Sequence, residues 1–268
     1  MICQKLCSSG RKNILQIRGD ALKKLYERSE LAFSIVWIVA YCILLSLGDN
    51  ISESIGITKS VTLPIAAVLS FILFIYIKHN KLMKKYGFCK PSVPGRKMLF
   101  YIPLILLLTV NLWFGVRVIM TPAETVLYIL TMLLVGFLEE TIFRGLLFGA
   151  MAEDGVKSAI IVSSITFGIG HIINLFNGSG ADLLPNLLQV GYAITTGFML
   201  VMIFLKSKSL IICIAFHGIF NLLSVFSDEA VLSIGQRLGS SIFIMFISMA
   251  YGVYLICMKE TDSTETDK

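Results

Sequence analysis

Eight apolar runs divide the chain, and each is long enough to cross a bilayer, which takes about 17–25 residues. They cover roughly 31–47, 61–77, 98–120, 125–151, 158–176, 187–205, 210–226 and 238–257 of the 268 residues. In lipid a backbone satisfies its own hydrogen bonds only as a helix or a closed barrel, and runs of this length read as helices. The expected fold class is therefore all-α, a polytopic membrane protein with about eight transmembrane helices. Charged residues make up 15% of the chain, against about 25% in soluble globular proteins. The fourth run is long and is expected to be tilted or broken.

Lysine and arginine assign the sides of the membrane. With an even number of spans, 19 of the 23 basic residues fall on one side, seven of them in residues 1–30 and seven in 78–97. Lys59, Arg117 and Arg237 fall on the other side, and Arg144 lies within a span. This asymmetry predicts a multi-pass protein of the cell membrane with both termini cytoplasmic. It also removes nucleic acid as the partner suggested by the net charge of +6, because the excess follows the membrane surface. Residues 1–30 form a basic cytoplasmic segment rather than a cleavable signal, and 18–30 suits an amphipathic helix on anionic headgroups. Residues 31–258 are expected to form one membrane domain, followed by a polar cytoplasmic tail, 259–268. The six cysteines are scattered and suggest neither a disulfide framework nor a zinc site at Cys3 and Cys7.

Charges inside the fourth run demand a reason. Glu139, Glu140 and Arg144 are flanked by apolar residues for more than two turns on either side, and each charge at mid-bilayer costs about 2.5–3.5 kcal/mol. Glu140 and Arg144 are four apart with the acid first, the favoured helical ion-pair orientation. Glu139 projects about 100° away. One arginine neutralises one acid, so a carboxylate is left over. Two of the three histidines also lie in apolar spans. Phe167, His171 and Asn174 share one helical face, and His217 and Asn221 share another. At 1.5 Å per residue, Glu139, His171 and Asn221 lie about 16–20 Å into their spans and His217 about 10 Å. A shared cavity open to the cytoplasm is compatible with those depths. Gly145 and Gly149 after Arg144, Gly168 and Gly170 before His171, and Gly218 after His217 suggest close helix packing around them.

Three motifs in order on separate apolar helices, Glu139-Glu140-x-x-x-Arg144, Phe167-x-x-x-His171 and His217-x-x-x-Asn221, resemble the CAAX-processing and bacteriocin-processing (CPBP, or Abi) intramembrane protease family. The resemblance covers about 125–226. It implies an eight-helix membrane endopeptidase in which Glu139 and His171 activate a water, His217 and Asn221 stabilise the tetrahedral oxyanion, and Glu140 and Arg144 hold the helices in register. Phe167 and Asn174 would support the histidine. The implied substrates are a peptide, a bacteriocin precursor or a prenylated protein tail presented from membrane lipid.

Metal use stays open in the sequence. Glu139, His171 and His217 would suffice for a catalytic zinc site, but their spacing is not H-E-x-x-H, and Asn221 beside His217 suits an oxyanion donor better than a zinc ligand. The expectation is a glutamate-type protease without cofactor, with zinc the alternative. Two other readings compete: a non-catalytic bacteriocin self-immunity or scaffold protein, and a transporter relaying protons through Glu139. Against the transporter, no repeat symmetry is visible and few spans are interrupted by proline.

Overall fold

The computed structural model describes residues 22–176, 182–227 and 231–258. Cys3, Cys7, most of the basic amino-terminal segment and the tail 259–268 lie outside the described residues. The end of the basic segment, 22–28, is helical. All regular structure among the described residues is helical, and after the 22–28 segment it falls into eight consecutive units. They are α1 (Glu30–Ile55), α2 (Thr62–His79), α3 (Gly95–Leu112), α4 (Pro122–Ala152), α5 (Val156–Leu175), α6 (Leu183–Ser207), α7 (Leu210–Phe226) and α8 (Ile234–Cys257).

Seven of the eight are long and apolar enough to span a membrane; the exception, α7, is apolar but shorter. The protein is thus an all-α, multi-pass membrane protein. Local sequence sets several ends. Ser29 caps α1 by accepting the Ala32 amide. Thr121 with Glu124, and Ser233 with Gln236, form reciprocal capping boxes at α4 and α8.

Two expected elements differ. The third run was expected to continue to residue 120, but helical structure stops at Leu112 and Gly115 turns the chain at φ 110°. Only Ile102–Thr109 within α3 is α-helical. The long fourth run does not break. It passes through a π-helical segment, Thr141–Leu147, whose wider turn frees a backbone carbonyl. Ser163 of α5 donates to the Phe143 carbonyl there at 2.9 Å.

Helix α4 is central and packs against α2, α5 and α7, while α1 packs against its π segment. The crossing between α4 and α7 is close: a Cβ added at Gly136 would sit 2.6 Å from the Gly218 amide nitrogen. Gly136 is one turn before the two glutamates and Gly218 adjoins His217, so this crossing sets how near those side chains come. Gly145 and Gly149 are less closely approached: Gly145 faces Leu210 of α7 and Tyr86 of the α2–α3 loop, and Gly149 faces the Tyr86 ring.

Gly136→Ala is expected to destabilise the protein by about 1–3 kcal/mol through overpacking. That cost outweighs the roughly 1 kcal/mol that alanine contributes in helix propensity. Gly170→Ala, with open space around its Cβ, is expected to be neutral or stabilising. Thermal unfolding of both variants in detergent checks the contrast.

Helix α1 is fixed at both ends. Lys85 binds Glu30 and donates to the Tyr26 hydroxyl at 3.2 Å. At the far end Asp49 receives Lys59 at 2.8 Å and the Thr62 hydroxyl at 2.6 Å. The following turn is tied to α4, where Glu124 accepts the Thr58 amide at 3.0 Å.

Candidate active site

Glu140 and Arg144 are fully buried on α4 and form an ion pair, Nη1 to Oε1 at 3.0 Å. The same Glu140 oxygen lies 2.7 Å from Nδ1 of His217 on α7. Nε2 of His217 lies 3.3 Å from Oε2 of Glu139. The imidazole is thus held between two adjacent carboxylates, one of which is already paired with arginine. Glu139, only 8% exposed, has no guanidinium partner among the described residues. Its second oxygen, Oε1, accepts a 2.5 Å hydrogen bond from the hydroxyl of Tyr41 on α1.

Phe167 of α5 is the apolar centre of the group. The Arg144 guanidinium carbon lies 4.0 Å from its ring centroid, a cation–π contact in a desolvated setting. The rings of His171 and His217 approach it edge-on at 5.2 and 5.5 Å. The α-helix gives way to a 3-10 turn at His171. Nδ1 of His171 lies 3.1 Å from the Phe167 carbonyl. A carbonyl only accepts, so Nδ1 carries a proton and Nε2 is the nitrogen left for the site. Asn186 of α6 donates to the His171 carbonyl at 2.9 Å and steadies the turn.

The structure therefore brings Glu139, Glu140, Arg144, Phe167, His171 and His217 into one cluster drawn from α4, α5 and α7. Asn221 lies one turn beyond His217, half-buried, and its side chain makes no hydrogen bond with the described residues. Asn174 points to α6 and donates to Gln189 at 3.0 Å. Sequence reasoning missed Tyr41, Asn186 and Gln189. The available signal was a polar head on an apolar helix, which needs a partner when buried.

Residues 121–223 match the Rce1-like family, described as type II CAAX prenyl endopeptidase Rce1-like. The segment is similar to that family. It holds every residue of the three motifs. No curated protein and no solved structure matches the chain.

Proposed function

We propose that the protein is an intramembrane endopeptidase of the CAAX prenyl type, using the Glu139 cluster to add water to a peptide bond. The observation that carries this reading is His217 clamped between Glu140 at 2.7 Å and Glu139 at 3.3 Å. Each ring nitrogen faces a carboxylate oxygen, so both close contacts are satisfied by a proton on each nitrogen. With the ring so charged, two carboxylates, one guanidinium and one imidazolium sum to zero in a buried site.

In the proposed reaction Glu139, assisted by Nε2 of His171, takes a proton from water as its oxygen bonds to the scissile carbonyl carbon. The carbonyl electrons move onto oxygen, and that charge is received by the Nε2–H of His217 and the amide of Asn221. On collapse the C–N bond breaks and the proton held by Glu139 passes to the departing amine. Glu140 holds Nδ1 of His217 and keeps its other nitrogen aimed at the reaction centre. Arg144 neutralises Glu140 and leaves Glu139 to act as a base. The basic-residue asymmetry supports both termini, and the mouth of the site, being cytoplasmic.

Zinc does not fit this arrangement well. Among the described residues no three His, Cys, Asp or Glu side chains converge at metal-ligand spacing. The reaction is proposed to be metal-independent.

The test is incubation of the purified protein with a farnesylated CAAX peptide and, separately, a double-glycine leader peptide, with products identified by mass spectrometry. Cleavage of the farnesylated peptide, unchanged after dialysis against a chelator, is the expected result. Loss on chelation with recovery on adding zinc would overturn the metal-independent route. Binding without cleavage of either peptide would favour the immunity or scaffold reading.

A further inference from the structure

We propose that Tyr41 is a positioning residue for Glu139, supplied by a helix outside the family-matched segment. This inference rests on the proposed role of Glu139 as the base. A carboxylate that must take a proton from water needs one oxygen directed at that water, yet its terminal torsion is broad and roughly two-fold. In this structure the two oxygens are distinguished. Oε1 accepts from the Tyr41 hydroxyl at 2.5 Å, and Oε2 faces His217. The bond crosses 98 residues of sequence, and the match to the family begins only at residue 121.

Local structure fixes where that hydroxyl can be. Phe33, Trp37 and Tyr41 recur every four residues on one face of α1, packed into the cluster that also holds Leu138, Ile142 and Phe167. The bonds of Glu30 and Asp49 hold α1 at both ends, so the stripe cannot slide along α4. The side chains in contact with Glu139 are then Tyr41 from α1 and His217 from α7. Tyr41 supplies a donor to Oε1, leaving the other oxygen to exchange the proton.

The experiment uses the full chain in nanodiscs and compares Tyr41→Phe, Tyr76→Phe and Glu139→Gln on the farnesylated CAAX peptide. Tyr76 belongs to the same buried aromatic cluster, and its hydroxyl has no hydrogen-bond partner among the described residues. Tyr41→Phe is expected to lower kcat about tenfold with KM within twofold, the signature of a mispositioned reacting group. Its unfolding temperature is expected to stay within a few degrees of wild type, and Tyr76→Phe to leave kcat unchanged. Wild-type kcat in Tyr41→Phe beside an inactive Glu139→Gln would overturn the inference alone. Equal losses in the two tyrosine variants would also overturn it, because the effect would then follow aromatic packing. Wild-type turnover by Glu139→Gln would instead remove the reading of the site on which the inference stands.

Discussion

Glu140→Ala is expected to cost the fold about 3–5 kcal/mol, the scale of breaking a buried ion pair by removing one partner. Against a typical total stability of about 5–15 kcal/mol, that is a large fraction. The reason is specific to this carboxylate. Arg144, with no exposed surface, has its ion pair there, and His217 Nδ1 has its acceptor there. Truncation leaves Arg144 without a counter-charge and His217 Nδ1 without its acceptor in an apolar interior. The double variant Glu140→Ala/Arg144→Met is expected to recover part of the stability, since replacing a whole buried pair by apolar groups is often neutral. It is not expected to recover hydrolysis, because His217 still lacks the group that orients it. Thermal unfolding in detergent, run beside peptide turnover, separates the two effects. An unchanged unfolding temperature for Glu140→Ala would contradict the role given to this residue.

The pairs that sequence reasoning found are those that helix geometry brings together within a single element. Glu140 with Arg144, Phe167 with His171, and the surplus carboxylate at Glu139 all follow from spacings of three and four. Contacts between helices were less legible. Hydropathy locates a span along the chain and says little about which helix stands beside it in the plane, so Tyr41 gave no sign of meeting Glu139. The clamp on His217 depends on the Gly136–Gly218 crossing, where sequence offered only two glycines among many. Gly145 and Gly149 have the spacing of a helix-packing motif, yet they accommodate a tyrosine ring from a loop. The π segment at Thr141–Leu147 left no mark in the apolar pattern, because insertion of one wider turn disturbs hydropathy very little. The third run was overextended because residues 113–120 are largely apolar while the backbone, turned at Gly115, is not helical.

Glu139→Gln is expected to lower kcat by about 10²–10⁴-fold, the usual contribution of a positioned general base, with little change in stability. Glutamine keeps the shape of the side chain and an oxygen able to accept from Tyr41, but it cannot take a proton from water. No arginine depends on Glu139 for its counter-charge: Arg144 is paired with Glu140. The substitution thus removes the base and leaves the buried ion pair intact, which makes it the cleanest probe of the chemistry. The deciding measurement is single-turnover hydrolysis of a farnesylated CAAX peptide by wild type and Glu139→Gln in identical nanodiscs, with the unfolding temperature of each recorded. Cleavage at least a hundredfold slower in a variant of unchanged stability is the predicted result, and equal rates in the two proteins would contradict it.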